Sequence, residues 1–201
     1  MNISWYGFNY FKLQNSHRSL IFNPYNLDNV TKFSKCKAEV ILFSDPKQVT
    51  KSKFNNDAFV IDSAGEFEVS DVFVYGHKIS DSIVYLVIFD DIKIAFLGEF
   101  GHQEISNGDL ELIGGADVLI LPVGGGDFTT SKEAVKLISQ IDPMIVIPSC
   151  HKDGGGKLKL DNVTDFVKEF GVKAEEVDKF NLKKKDLFEE EVRLIVLKSK
   201  K

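Results

Sequence analysis

Up to Gly98 the chain is dominated by short apolar runs broken by turn residues, and these runs read as strands: Ile3–Tyr6, Tyr10–Leu13, Ser19–Phe22, Glu39–Phe43, Phe59–Ile61, Phe67–Val69, Val72–Tyr75, Ile83–Phe89 and Ile92–Leu97. Asp90-Asp91 separates the last two. Aspartate tolerates a left-handed backbone, so this pair predicts a two-residue hairpin turn.

Beyond Gly98 the period changes to strands alternating with helices. A short helix is expected around Asn107–Leu112, and buried strands at Val118–Leu121, Met144–Pro148 and Val192–Leu197. Ala134, Leu137, Ile138 and Ile141 fall on one helix face, with Thr130 and Glu133 forming a capping box ahead of them. Val163, Phe166, Val167 and Phe170 repeat that spacing, with Asp161 as the expected N-cap and Gly171 as the stop. Many strands followed by a strand–helix half fit two packed sheets flanked by helices.

At 201 residues and 43% hydrophobic content, the chain is expected to form one domain over residues 1–201 around one core. The net charge of −5 argues against a general affinity for nucleic acid or an anionic membrane. The best basic patch comprises Lys32, Lys35, Lys37, Lys47, Lys51 and Lys53, and it is diluted by Glu39, Asp45 and Asp57. It reads first as a solvated face. Cys36 and Cys150 are too few for a disulfide framework. No leader-like segment opens the sequence, and the longest apolar run, Ile83–Phe89, is far too short to span a bilayer. The expected compartment is the cytoplasm.

Three loops after strands can present chemistry: Leu97-Gly98-Glu99-Phe100-Gly101-His102, Leu121-Pro122-Val123-Gly124-Gly125-Gly126-Asp127 and Ile147-Pro148-Ser149-Cys150-His151-Lys152. With Ile3–Phe11, Phe22-Asn23-Pro24 and Ala64-Gly65-Glu66-Phe67-Glu68-Val69, they occur in the order and spacing of the metallo-β-lactamase-fold hydrolases. The chain resembles in particular the branch similar to ascorbate-6-phosphate lactonase. That resemblance implies an α+β fold, the four-layer αββα sandwich, with a metal site at one edge between the sheets. There zinc or a similar ion lowers the pKa of a bound water.

The implied ligands are largely replaced. The family's His-x-His-x-Asp-His falls on Asp45, Lys47, Val49 and Thr50. Phe8 stands where a histidine is common, Glu99 stands for a ligand aspartate, and the last histidine falls on Cys150 with His151 one step on. Lys47 is expected to place an ammonium where a cation belongs. The metal-site candidates that remain are Asp45, Glu99, Cys150 and His151. The expected function is therefore a degenerate, non-hydrolytic binding or assembly module without a cofactor. The first alternative is a hydrolase of a small phosphorylated or ester-like substrate, with zinc or manganese at a remodelled mononuclear site. The second is a nucleic-acid-binding module on the lysine patch.

Other residues carry weaker expectations. His102 is expected to be structural, and His17 and His77 to lie in hairpin turns. Cys150 reads as a buried thiol, with His151 a poor base for it because adjacent strand residues point apart. Glu66 and Glu68 share a strand face placed by the resemblance near the site edge, and Gly124–Gly126 or Gly154–Gly156 could cradle an anion. The partners expected are another protein, a second copy of the chain or a small anion in preference to nucleic acid, and no membrane.

Overall fold

The computed structural model describes residues 1–25, 37–51, 57–152, 158–187 and 191–200. The strands are β1 (Asn2–Trp5), β2 (Phe11–Gln14), β3 (Ser19–Phe22), β4 (Val40–Leu42), β5 (Phe59–Ile61), β6 (Gly65–Val69), β7 (Val72–Ile79), β8 (Ser82–Phe89), β9 (Ile92–Phe96), β10 (Val118–Pro122), β11 (Ile145–Ser149), β12 (Ala174–Val177), β13 (Phe180–Asn181) and β14 (Arg193–Leu197). The helices are α1 (Asn107–Ile113), α2 (Ser131–Ile141) and α3 (Val163–Phe170).

They form two mixed sheets, one ordered β13-β1-β2-β3-β4-β5 and the other β12-β14-β11-β10-β9-β8-β7-β6. In the first, β3, β4 and β5 run parallel. In the second, β9, β10, β11, β14 and β12 run parallel, and β6 to β9 form an antiparallel meander. Alternation decides which residues face inward. Leu20 and Phe22 of β3, Val40 and Leu42 of β4, and Tyr85, Val87 and Phe89 of β8 fill the space between the sheets. The outward residues of the second sheet, including Ala95, Leu119, Val146 and Leu194, pack under Ile113, Ala134, Leu137, Ile138, Ile141 and Phe166 of α1 to α3. 3₁₀ turns at Pro46–Lys51 and Lys184–Leu187 follow β4 and β13 of the first sheet. This is the expected α+β sandwich, and no helix among the described residues is long and apolar enough to cross a membrane.

Local expectations held where side chains act on their own backbone. Thr130 accepts from the Glu133 N–H, and the Glu133 carboxylate returns to the Thr130 N–H, closing the capping box. Asp90 and Asp91 both adopt positive φ, 54° and 60°, as the primed hairpin turn requires. Two expectations need correction. His77 lies inside β7, because that strand goes on pairing with β8 as far as Ile79 through an exposed polar stretch. Asn162, not Asp161, is the N-cap of α3, since the Asp161 backbone is drawn away by its N–H bond to the Gly124 carbonyl.

Candidate functional site

The carboxyl ends of β3, β4, β9, β10 and β11 meet at one edge of the sandwich. Asn23 leaves β3 at φ 46°, a conformation asparagine tolerates, and its amide clamps the loop after β4. Its Oδ1 accepts from the Ser44 N–H at 2.8 Å, and its Nδ2 donates to Ser44 Oγ at 2.7 Å. The Ile83 N–H donates to the Ser44 carbonyl at 2.9 Å, and the Tyr85 hydroxyl donates to the Phe43 carbonyl at 2.9 Å, tying the first sheet to the second. Gly98 is required here, because at φ 60° an added Cβ would lie 2.4 Å from Ser44 Cβ.

That frame brings Tyr25, from the loop after β3, onto Glu99, from the loop after β9. The Tyr25 hydroxyl donates a hydrogen bond to Glu99 Oε1. Burial pushes the Glu99 carboxyl up to about 7 and the nearby Asp45 charge adds to this, while the Tyr25 bond opposes it. Burial, then the Glu99 charge, likewise raise the Tyr25 hydroxyl well above its ordinary range. The Cys150 thiol is fully buried and is raised by burial and by Glu99.

Around this pair two of the positions singled out by the resemblance, Phe8 and Val49, carry apolar side chains. Phe8 meets Phe128 edge-on at 5.4 Å between ring centroids. These rings, with Tyr25, Phe43 and Cys150, belong to one buried cluster over the outer face of β3 and β4, and Val49 packs against it. Phe8 and Cys150 both adopt φ 48°, and their backbones bond directly, the Cys150 N–H donating to the Phe8 carbonyl at 2.9 Å. A bulky residue in that conformation is strained, so the surrounding packing must hold it there.

Of the four metal-site candidates, Glu99 feels the charge of Asp45 and acts on Cys150, but among the described residues they form no metal-holding group. Asp45 turns back to cap the following 3₁₀ turn, its Oδ1 accepting from the Lys47 N–H and its Oδ2 from Gln48 Nε2, each at 3.0 Å. His151 lies against Trp5, with ring centroids 4.5 Å apart, because its neighbour Cys150 takes the side facing Glu99. Among the described residues no three His, Cys, Asp or Glu side chains have a metal-holding arrangement. The residues present therefore do not fit the zinc or manganese centre that the fold family implies. Lys47 is exposed, so the expectation that its ammonium fills the metal position is corrected, and the charge acting on Glu99 is Asp45's. The side chain of Thr50 lies outside the described residues.

The remaining candidates lie elsewhere. His102 bonds Glu133 through Nδ1 and the Gly126 carbonyl through Nε2, at 3.0 and 2.8 Å, and so fastens the glycine loop to the start of α2. With Glu133 already capping that helix, the N–H groups expected to attract an anion after Gly124–Gly126 face a carboxylate of the protein itself. Gly124 serves close approach, since a Cβ there would lie 1.9 Å from the Cys150 carbonyl oxygen. His77 pairs with Asp109 of α1 at 2.7 Å, and His17 sits in the β2–β3 turn, where its N–H donates to Asn15. Glu66 and Glu68 do share a face, but it is the outer face of the edge strand β6, three strands beyond β9, so they are not at the site. A raised thiol is a poor nucleophile, which leaves Cys150 a buried structural residue.

The lysine patch is divided: Lys37 precedes β4 and Lys47 follows it, so the two lie beyond opposite ends of that strand. Lys32, Lys35, Cys36, Lys53 and Gly154–Gly156 lie outside the described residues, as does the side chain of Lys51. Tyr25 and the Asn23–Ser44 clamp were not anticipated, although Tyr25 directly follows the Asn23-Pro24 pair that carries part of the resemblance.

Comparison with known proteins bears on this arrangement. Residues 2–150 match the family described as Beta-lactamase superfamily domain. A UPF0173 protein of Pyrococcus abyssi is 25% identical over 183 residues, covering 78% of this chain and 86% of its own length. Among solved structures, a candidate Zn-dependent hydrolase of the metallo-β-lactamase superfamily from Thermotoga maritima superposes with a TM-score of 0.84 at 28% identity, covering 98% of this chain and 99% of that one. Igni18, a metallo hydrolase from Ignicoccus hospitalis, superposes at 0.68 with 11% identity over 100% of this chain and 96% of its own, a likeness of fold alone.

Proposed function

The chain belongs to the beta-lactamase superfamily, and from that premise we propose that it is a member in which a buried hydrogen-bonded pair and an apolar cluster replace the dinuclear metal centre, leaving a binding or assembly module rather than a hydrolase. The observation that carries this reading is the Tyr25–Glu99 bond. It commits the one carboxylate retained at a ligand position after β9 to a protein donor, in surroundings that favour its neutral form. Phe8, Val49 and Phe128 support the same reading, since their packing brings apolar groups where a metal-bound water would need polar ones.

The competing reading, a hydrolase of a small phosphorylated or ester-like substrate at a remodelled mononuclear site, is favoured by the relatives' hydrolase descriptions and by the retained carboxylates of Asp45 and Glu99. It requires Asp45 to leave its 3₁₀ turn, Glu99 to ionise, and either Cys150 to ionise or His151 to leave Trp5.

Metal analysis of protein purified without chelator, with zinc and manganese titrations by calorimetry and assays on a phosphodiester and a lactone, separates the two. We expect only traces of metal, no saturable binding and no metal-stimulated turnover. About one tightly held ion per chain, lost together with an activity in Glu99→Ala, would overturn the proposal.

A further inference from the structure

The outer face of the second sheet is roofed by α1 to α3 from β14 across to Ile79 of β7 and Val84 and Leu86 of β8, but not at the corner beside the β8–β9 turn. There Phe73 stays 38% exposed, and Tyr75, Leu86 and Ile88 are only half-buried. Strand register sets these side chains in rows across the sheet. One row runs Glu68, Phe73, Ile88, Lys93 over β6, β7, β8 and β9, and the next runs Glu66, Tyr75, Leu86, Ala95. The first row thus has an acid at one end, a base at the other and two apolar groups between. Among the described residues none of Glu66, Glu68 and Lys93 is in an ion pair.

Such a row is complementary to itself. A two-fold axis lying in the contact plane and parallel to the strands reverses the order of the strands while keeping height along them. It lays Glu68 of one copy over Lys93 of the other, and Phe73 over Ile88, while the next row, with Leu86 and Ala95, lies at the margin of the helix roof. A two-fold axis across the strands would instead set the glutamates of β6 against those of the second β6. Charge therefore selects one register and opposes the other.

We propose that this face is a two-fold interface between copies of this chain. The row spans about 14 Å at ~4.8 Å per strand, smaller than a standard stable interface, so association is weak and depends on concentration and salt. The face lies at the β8–β9 turn end of the sheet and away from the Tyr25–Glu99 edge, so the result is independent of the proposed function.

Sedimentation velocity up to near-millimolar protein at low salt tests it, with circular dichroism to confirm folding. Wild type is expected to dimerise reversibly. Glu68→Lys and Lys93→Glu, each setting like charges face to face, weaken the dimer about tenfold or more. The double variant restores it, and Phe73→Asp abolishes it. A wild type monomeric at every concentration, a dimer indifferent to the single reversals, or a weakening that the double variant fails to rescue overturns the proposal.

Discussion

The Tyr25 hydroxyl and the Glu99 carboxylate join the two sheets at the edge where their parallel strands end, Tyr25 arriving from β3 and Glu99 from β9. The bond satisfies the Glu99 carboxylate from within the protein, and Ser44 also bonds the Tyr25 hydroxyl. Neither Tyr25 nor Glu99 is easily removed alone, since a polar group left unsatisfied in such a place costs more than the bond itself contributes.

Glu99→Gln should stabilise the protein at alkaline pH and remove much of its pH dependence. The folded pKa of Glu99, about 7, lies above its ordinary 4.5. Between those values the folded state holds a proton that the unfolded state releases, so stability falls as pH rises from 4.5 and the full loss is reached above about 7. At about 1.4 kcal/mol per unit the loss is on the order of 3 kcal/mol. Glutamine keeps an acceptor for Tyr25 and never ionises. Urea midpoints of wild type and variant should converge near pH 5 and separate toward about pH 8; parallel profiles would mean that Glu99 ionises at no cost.

Tyr25→Phe tests the other half of the bond. Burial and Asp45 then act on Glu99 without the opposing hydroxyl, so its pKa should rise beyond about 7, as followed by carboxyl chemical shifts. The stability cost is expected at ~1–3 kcal/mol and should be larger where Glu99 is ionised. In a double-mutant cycle with Glu99→Gln the two effects should be strongly non-additive, whereas additivity would show that the groups act separately.

The contrast between what the sequence revealed and what it did not follows the range of each interaction. Thr130 and Glu133 are three residues apart, and Asp90-Asp91 bends its own backbone, so both features were readable locally. β12 and β13 were missed because they are short, polar edge strands, Ala-Glu-Glu-Val and Phe-Asn, held mainly by backbone pairing. At the site, motif order located the loops, and the missing ligands could be read position by position. Side-chain direction could not. Lys47 occupies the backbone position of a ligand yet points outward, while Tyr25 reaches a partner 74 residues away. Contacts of that range depend on how the sheets stack, which no local pattern encodes.

Gly124→Ala should be among the most damaging single substitutions. The added methyl would stand 1.9 Å from the Cys150 carbonyl oxygen and 3.2 Å from the His151 Cα, both backbone atoms without a rotamer to yield. Opening that contact would displace the Cys150–Phe8 bond and the apolar cluster beneath it. Gly115→Ala is the control: its φ is 68°, but nothing lies within 4 Å, so only conformational strain of ~1 kcal/mol applies. Thermal melts should show a small shift for the control and a far larger loss for Gly124→Ala. Equal shifts would contradict the close packing of the two loops.

The His102–Glu133–Thr130 cap predicts a stability term of opposite slope on its two sides. Hydrogen bonding to Glu133, then to the Gly126 carbonyl, raises the His102 pKa above 6.5. Its contribution is therefore complete below 6.5 and is lost as pH rises through the higher folded value. For Glu133, burial works against ionisation, but the bonds from Thr130 and His102 outweigh it and hold the carboxyl at about 2. That contribution is present above 4.5 and is lost as pH falls through about 2. The cap is thus strongest between about 4.5 and 6.5. Because the His102–Glu133 pair is exposed, His102→Ala should cost less than about 1 kcal/mol, with the deficit shrinking from about pH 5.5 to about pH 8.5. Thr130→Ala removes the N-cap oxygen itself and should cost ~1 kcal/mol across that range. Denaturant melts of both variants at the two pH values check the assignment. A His102→Ala deficit that does not vary with pH would mean that the imidazole binds Glu133 without a proton gain.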